Sequence, residues 1–206
     1  MNFSEIQKKF SIEKNIINKD TQINYLEKKN FQGGDLCFWG YDKIYEKYFI
    51  KLKNNKIHLC EIGILEGDKL FMLNHYFNNI NLYGYDIDIS KFKYNNDKKL
   101  MGNIKELKIC NSINKEEVSN IKHNFDIIID DGDHNSYSMI KTFQNFFPLL
   151  NKGGLYFIED VCVFKGGRFL TLKNFFLKKN INYKFEINHQ GFEIDKKCHG
   201  IMVISK

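Results

Sequence analysis

Residues 125–161 read FDIIIDDGDHNSYSMIKTFQNFFPLLNKGGLYFIEDV and predict two buried strands joined by a helix. The apolar run Phe125–Ile129 predicts the first strand, and the acidic turn 130–134 follows it. A helix is predicted over Tyr137–Leu150, and a glycine pair then opens the second strand, Leu155–Ile158. Two parallel strands with such a connection are typical of an open α/β sheet, whose carboxyl edge is where ligands bind.

Carboxylates follow both of these predicted strands. Asp130 and Asp131 come after the first, Glu159 and Asp160 come after the second, and His134 lies three residues beyond Asp131. Carboxylates beside apolar strands are costly unless something there uses them. The combination indicates an enzyme site, and a plain acidic turn with a polar strand exit is the structural alternative.

The rest of the chain alternates strands and helices. The other predicted strands are Ile57–Ile62, Ile80–Tyr85, Ile104–Cys110, Tyr183–Ile187 and Gly200–Ile204. The other predicted helices are residues 2–30, Asp42–Lys53, Asp68–Tyr76, Lys115–Ile121 and Leu170–Lys179, with a loop at 32–35. This order predicts an α/β fold with a Rossmann-like, doubly wound, mostly parallel seven-stranded sheet and an N-terminal helical extension. The last strand follows a segment long enough for a hairpin, so it is able to run antiparallel.

Composition sets the class of protein. A chain of 206 residues with 43% apolar and 15% aromatic residues suits a single folded domain. The five cysteines include no CxxC pair, so neither a zinc site nor a disulfide framework is predicted, and a reducing cytoplasm is expected. The sequence contains no apolar run long enough to span a membrane and no signal-peptide core. The net charge is +6, but no nucleic-acid-binding module is recognised, so no nucleic-acid partner is predicted.

The segment HLCEIGILEGDKL, residues 58–70, predicts a cofactor-binding turn. Glu61 ends a strand, Gly63 and Gly67 form the turn into a helix, and the next strand ends in Asp86. A carboxylate in the position of Asp86 usually accepts hydrogen bonds from ribose hydroxyls. The spacing E-x-G-x-x-x-G is not the pyrophosphate-binding G-x-G-x-x-G, and an acid before the first glycine repels phosphate. A cationic adenosine cofactor, S-adenosylmethionine, therefore fits better than NAD, and a strand–turn–helix with incidental acids is the structural alternative.

These motifs resemble those of the class I S-adenosylmethionine-dependent methyltransferases. More narrowly, the chain is similar to the metal-dependent sugar O-methyltransferases of the macrocin and mycinamicin type. The similarity covers about residues 39–161, and residues 56–206 would then form the methyltransferase domain behind an extension, residues 1–55. The matching segments, in the family's order, are WGYDK (39–43), CEIGILEG (60–67), LYGYDID (82–88), IIIDDGDH (127–134) and FFPLLNKGGLYFIEDV (146–161).

The resemblance implies a metal site and a general base. Asp131, Glu159 and Asp160 would ligate Mg²⁺ or Mn²⁺, for which an all-oxygen ligand set is suited. A bound cation lowers the pKa of an acceptor hydroxyl. His134 would then accept the hydroxyl proton, because the ordinary histidine pKa lies near neutrality. Asp131 and His134 are therefore the predicted catalytic residues.

The resemblance also assigns cofactor contacts and marks departures. It implies that Glu61, Gly63 and Asp86 contact the cofactor, and Gly67 of the same turn and Asp130 complete the predicted cofactor-binding residues. Strand alternation turns the side chain of Asp130 away from that of Asp131, so Asp130 is expected to contact cofactor or backbone instead of metal. The chain has Asp133 where the family usually has serine, Tyr41 where it often has threonine, and Asp68 and Lys69 where it has small residues.

The resulting hypothesis is an S-adenosylmethionine-dependent, divalent-metal-assisted O-methyltransferase. Its acceptor would be a hydroxyl of a sugar, a nucleotide sugar or another sugar-containing small molecule. One alternative is a methyltransferase for a catechol-like or phosphorylated small molecule. Another is a catalytically silent cofactor-binding or partner-binding subunit. The N-terminal helix, with Phe3, Ile6 and Phe10, could pair with a second chain, so a homo-oligomer remains open.

Overall fold

The structure is a computed structural model, and it describes residues 1–17, 40–163, 167–188 and 199–206. Its helices are α1 (Phe3–Ile17), α2 (Tyr41–Phe49), α3 (Asp68–Tyr76), α4 (Lys98–Asn103), α5 (Lys115–Ser119), α6 (Ser136–Phe146) and α7 (Arg168–Lys178). Its strands are β1 (Lys56–Ile62), β2 (Asn79–Asp86), β3 (Ile104–Ile109), β4 (Phe125–Asp130), β5 (Leu150–Ile158), β6 (Tyr183–Asn188) and β7 (His199–Ser205).

The strands form one seven-stranded sheet in the order β3-β2-β1-β4-β5-β7-β6. Strands β1 to β5 pair in parallel, whereas β7 is antiparallel to both β5 and β6. The predicted mostly parallel, Rossmann-like sheet is confirmed, and so is the antiparallel last strand. The strand order reverses between β1 and β4, which makes their carboxyl ends the expected binding edge. Among the described helices, none is both long and apolar enough to cross a bilayer.

Alternating side chains give the sheet two apolar faces, each covered by helices. Leu59 and Ile129 belong to a core cluster that also includes buried residues of α1, α2 and α3. Their neighbours Cys60 and Ile128 belong to a second cluster with buried residues of α5, α6 and α7. This is the three-layer arrangement expected of a parallel sheet with crossover helices on both sides.

The N-terminal helices pack on the first of these faces. Phe3 and Ile6 of α1 are fully buried, and the Phe3 ring stacks on Tyr76 of α3 at a centroid distance of 4.1 Å. In α2, Phe49 meets Phe157 of β5 edge-on at 5.3 Å. Such ring pairs contribute about 0.5–1.5 kcal/mol each beyond the area they bury. The domain boundary at residue 55 remains a prediction, and the predicted loop 32–35 and residues 18–30 of the predicted first helix lie outside the described residues.

The largest correction concerns the start of β5. The helix predicted over Tyr137–Leu150 ends at Phe146, a 3₁₀ turn follows, and β5 begins at Leu150 rather than Leu155. The glycine pair thus lies within the strand. Gly153 has φ +80°, and its N–H still donates to Lys206 O at 2.8 Å, so the glycine bends the strand without ending it.

Other element bounds differ by a few residues. The predicted helices Asp42–Lys53 and Lys115–Ile121 end earlier, at Phe49 and Ser119, and β3 ends at Ile109. The sequence did not predict the helix that the structure has at Lys98–Asn103. This short helix α4 follows an N-cap, where the Asp97 side chain accepts a hydrogen bond from Leu100 N at 2.8 Å.

His75, at the end of α3, makes stability depend on pH. Its ring lies 4.5 Å from the Phe71 ring and 4.6 Å from the Phe10 ring, and burial lowers the pKa of His75. Because the unfolded chain then binds a proton more readily, the free energy of unfolding should fall as pH drops below the ordinary histidine value. Urea unfolding at pH 7.5 and pH 5 should show a smaller fall for His75→Gln than for the unmodified protein. An equal fall in both would contradict this role.

Candidate active site

A cavity of about 570 Å³ opens at the carboxyl edge of the sheet, at the reversal of strand order. Gly63 and Asp86, after β1 and at the end of β2, line one part of it. His134 and Asp160, after β4 and β5, line another. The cavity is of the size that small-molecule ligands occupy, and the sheet brings the two predicted motifs to its walls.

The turn after β1 approaches β4 closely. Gly63 has φ +82°, and a Cβ atom there would lie 2.2 Å from the backbone oxygen of Asp131. Asp86 stabilises the same turn, because its Oδ2 accepts hydrogen bonds from Ile64 N at 2.8 Å and Leu65 N at 3.0 Å. A carboxylate has further lone pairs to offer, so Asp86 can hold the turn and still accept a hydrogen bond from a ligand hydroxyl.

Of the five predicted cofactor residues, three do not line the cavity: Glu61, Gly67 and Asp130. The Glu61 side chain is 1% exposed and points to Lys69, with 3.9 Å between Oε1 and Nζ, and burial raises its pKa well above the usual range. Gly67 has φ +87° and forms the N-cap of α3, where a Cβ would lie 2.3 Å from the Phe92 ring. Both residues shape the wall behind the turn, and a direct contact of either with cofactor remains a prediction.

Asp130 also lies behind the cavity. It is 4% exposed, and its Oδ1 accepts a hydrogen bond from Gly132 N at 3.4 Å. Burial raises the pKa of Asp130 to about 8. Asp130 thus contacts the backbone, one of the two contacts expected from strand alternation, and its contact with cofactor remains a prediction.

Three of the predicted chemical residues converge at the other end of the cavity. The Nε2 atom of His134 lies 3.7 Å from Oδ1 of Asp131 and 3.5 Å from Oδ2 of Asp160. One possible metal-ligating atom from each of these three side chains lies within 4.8 Å of the other two. His134 and Asp160 both have φ +53°, a conformation that costs a non-glycine residue free energy and is often retained where function needs it. Two facing carboxylates fit a hard divalent cation.

The third predicted ligand, Glu159, has a different neighbour. Its Oε1 lies 2.6 Å from Lys69 Nζ, and it also accepts a hydrogen bond from the Tyr45 hydroxyl. Lys69 Nζ is equally 2.6 Å from Oδ2 of Asp131. Burial raises the Glu159 pKa, and the nearby Asp131 raises it further, while Lys69 lowers it. Burial alone lowers the Lys69 pKa, but Asp131 and Glu159 raise it well above its usual range, so the ammonium stays charged.

Helix α2 supports the two carboxylates that follow β5. The Tyr41 hydroxyl donates to Asp160 Oδ1 at 2.7 Å, and Tyr45, one turn later, donates to Glu159. Residues four apart lie on one face of a helix, so a single face of α2 contacts both carboxylates. Burial, followed by the charge of the adjacent carboxylate, raises the pKa of each tyrosine well above the usual range, so both hydroxyls remain donors.

Sequence reasoning missed the roles of Lys69, Tyr41 and Tyr45. Lys69 and Tyr41 were recognised only as departures from the family pattern. Signals were present: Lys69 precedes an apolar helix face, and Tyr41 and Tyr45 have i,i+4 spacing. Their carboxylate partners lie about 60 to 120 residues away in sequence, so local patterns alone do not pair them.

The cavity walls are acidic. Among the described residues that line it, none is lysine or arginine, whereas the acidic ones are Asp86, Asp131, Asp133, Glu159 and Asp160. Walls of one sign raise the local concentration of ligands with the opposite charge. The cavity is therefore suited to a cationic cofactor and a divalent cation.

Curated relatives are similar to more than half of the chain. It is 29% identical over 134 residues to the 8-demethyl-8-alpha-L-rhamnosyl tetracenomycin-C 2'-O-methyltransferase of Streptomyces olivaceus, covering 60% of this chain and 34% of the relative. It is 30% identical over 131 residues to the demethylmacrocin O-methyltransferase of Streptomyces fradiae, covering 57% and 30%. The chain is a relative of the sugar O-methyltransferases. It spans about a third of the length of these relatives.

Solved structures show the same fold. MycE methyltransferase from the mycinamycin biosynthetic pathway, solved with Mg, SAH and mycinamycin VI, superposes with a TM-score of 0.62 at 22% identity. The match covers 81% of this chain and 49% of that one. At this identity the likeness shows the fold alone. No protein-family model matches the chain.

Proposed function

We propose that this relative of the sugar O-methyltransferases is itself an S-adenosylmethionine-dependent, divalent-metal-assisted O-methyltransferase. Its acceptor would be a hydroxyl of a sugar or of a sugar-containing small molecule. The observation that carries the proposal is the arrangement of one cavity, with Gly63 and Asp86 at one end and Asp131, His134 and Asp160 at the other. The curated relatives are O-methyltransferases whose names include a rhamnosyl compound and macrocin, which supports the same reaction.

The first end of the cavity suits the adenosine part of the cofactor. Gly63 lines the cavity, and Asp86 has acceptor capacity left for ribose hydroxyls. The acidic walls favour the positively charged sulfonium of S-adenosylmethionine.

The second end suits the acceptor hydroxyl. Asp131 and Asp160 would hold Mg²⁺ or Mn²⁺, which when bound makes a coordinated hydroxyl more acidic. Tyr41 fixes the Asp160 carboxylate. The Nε2 atom of His134 faces the same space and would accept the hydroxyl proton, which leaves the oxygen as the nucleophile for the methyl group.

Cofactor binding provides the first test. Calorimetric titration with S-adenosylhomocysteine should show binding to the unmodified protein and at least about tenfold weaker binding to Asp86→Ala, since hydrogen bonds to a charged group are worth about 1.5–3 kcal/mol each. Asp97→Ala is a matched control, because Asp97 also accepts a hydrogen bond from a backbone N–H but caps α4 and does not line the cavity. The affinity of Asp97→Ala for S-adenosylhomocysteine should match that of the unmodified protein. Absence of binding to the unmodified protein would overturn the proposal.

Three finer expectations accompany the proposal. The acceptor could be a nucleotide sugar, which a panel of nucleotide sugars assayed for S-adenosylhomocysteine release would identify. The cytoplasmic location and a homo-oligomer stay predictions.

A further inference from the structure

Lys69 is a buried ammonium among three carboxylates. Its side chain is 8% exposed, and its Nζ atom lies 2.6 Å from Asp131 Oδ2, 2.6 Å from Glu159 Oε1 and 3.9 Å from Glu61 Oε1. Such a lysine has to be compensated by opposite charge, since burying an isolated ammonium is very costly. The acidic partners of Lys69 include two of the three residues predicted to ligate a metal.

The sheet explains this cluster. Glu61, Asp131 and Glu159 continue the strand alternation of Leu59, Ile129 and Phe157, all of which belong to the core on the α2 and α3 side. Helix α3 begins right after the left-handed turn at Gly67, so Lys69 in its first turn lies over these carboxylates.

Glu159 is separated from the other two predicted ligands by these contacts. Lys69 and Tyr45 both engage its Oε1 atom, and Glu159 is absent from the set of converging donor atoms, which in the described residues consists of Asp131, His134 and Asp160. Asp131 belongs both to the Lys69 cluster and to the set of converging donor atoms. Its Oδ2 contacts Lys69, while its Oδ1 faces His134 Nε2 at 3.7 Å.

We propose that Lys69 removes Glu159 from the metal site. The cation, whose presence rests on the proposed function, is then held by the carboxylates of Asp131 and Asp160 alone. Lys69 acts as a positioning residue that orients Asp131 through Oδ2 and neutralises Glu159. Magnesium sites commonly have one or two protein carboxylates and complete their shell with water and substrate oxygens. The lysine thus weakens metal binding in the absence of substrate, because it places a positive charge beside the site and withholds a ligand.

Calorimetric titration of the full chain with Mn²⁺ tests the ligand set. Asp160→Asn should weaken Mn²⁺ binding at least about tenfold, as loss of a ligand does, while Glu159→Gln should change the Kd by less than about threefold. Both variants are nearly isosteric, and Glu159→Gln keeps an oxygen that can accept from Lys69 and Tyr45. An equal loss in the two variants would overturn the proposal, because Glu159 would then be a ligand.

A second pair of variants tests the lysine. Lys69→Met should tighten Mn²⁺ binding about tenfold or more, since a positive charge is removed and Glu159 becomes free to ligate. The double variant Lys69→Met with Glu159→Gln should lose the part of that gain that Glu159 supplies. A merely structural lysine would not produce a gain in metal affinity that depends on Glu159. If Lys69→Met does not fold, the comparison of Glu159→Gln with Asp160→Asn still tests whether Glu159 is a metal ligand.

Cofactor titration separates this proposal from the proposed function. Each variant should bind S-adenosylhomocysteine about as the unmodified protein does. Cofactor binding combined with no Mn²⁺ binding, in both the unmodified protein and Lys69→Met, would overturn the role of Lys69 while leaving a cofactor-binding protein. Mn²⁺ binding that appears only in Lys69→Met would support it.

Discussion

Replacing His134 with asparagine should lower the rate of methyl transfer about 10²–10⁴-fold, the usual contribution of a general base. The Nε2 atom of His134 faces Asp131 and Asp160 across 3.7 and 3.5 Å, at the end of the cavity proposed for the acceptor hydroxyl. Asparagine is the suitable replacement, because it tolerates the left-handed conformation, φ +53°, that His134 adopts. The loss of rate therefore reports the lost proton acceptor and not a strained backbone.

The measurement is the initial rate of S-adenosylhomocysteine release at saturating cofactor and Mg²⁺, with an acceptor found by the nucleotide-sugar panel. Affinity for S-adenosylhomocysteine should stay within about twofold of that of the unmodified protein, a difference well under 1 kcal/mol. His123→Asn is the matched control. This histidine is partly exposed, pairs with Glu106 at 3.2 Å and does not line the cavity, so its loss should leave the rate unchanged. A His134→Asn variant with full activity would remove the residue from the mechanism.

The binding edge could be predicted because its residues follow strands whose apolar runs are recognisable in the sequence. The apolar run of β4 is buried and central, and the sequence places Asp86, Asp131 and Asp160 at or just after the ends of predicted parallel strands. Parallel strands deliver their carboxyl ends to one edge, so placing the residues in sequence places them in space.

The start of β5 could not be predicted from the same pattern. Gly153 and Gly154 suggested a turn, yet Leu150 already pairs with Phe125 of β4. The pairing register shifts between Phe125 and Ile127, an irregularity that a flexible glycine backbone allows. Whether glycines end a strand or bend it depends on the neighbouring strand, which local sequence does not contain.

The contacts of the Glu159 side chain were the part of the site that could not be predicted from the sequence. The motif around Glu159 and Asp160 suggested equivalent ligands, whereas Tyr41 contacts Asp160, and Tyr45 and Lys69 contact Glu159. These contacts depend on how α2 and α3 pack over the sheet. Strand alternation does place Glu61, Asp131 and Glu159 on the face that α3 covers, so a buried lysine at the start of that helix could have been suspected.

Gly63→Ala should be the most damaging substitution outside the chemical residues. Gly63 has φ +82°, which costs an alanine about 1–2 kcal/mol. In addition, the new Cβ would lie 2.2 Å from Asp131 O and 2.9 Å from Gly132 Cα, atoms of backbone that cannot rotate away. Overpacking adds about 1–3 kcal/mol, so the free energy of unfolding should fall by about 2–5 kcal/mol in total.

Gly153→Ala isolates the cost of placing alanine at a positive φ. Gly153 has φ +80°, but a Cβ there would have no atom within 4 Å, so this variant should lose only about 1–2 kcal/mol in urea unfolding. The difference between the two variants measures the contact between the turn after β1 and the backbone of Asp131. Because relief of that contact has to move Asp131, Gly63→Ala should also weaken the binding of both Mn²⁺ and S-adenosylhomocysteine, while Gly153→Ala should weaken neither. Equal losses of stability, with Mn²⁺ binding intact in both, would mean that the turn shifts without Asp131 and that the two ends of the cavity are mechanically independent.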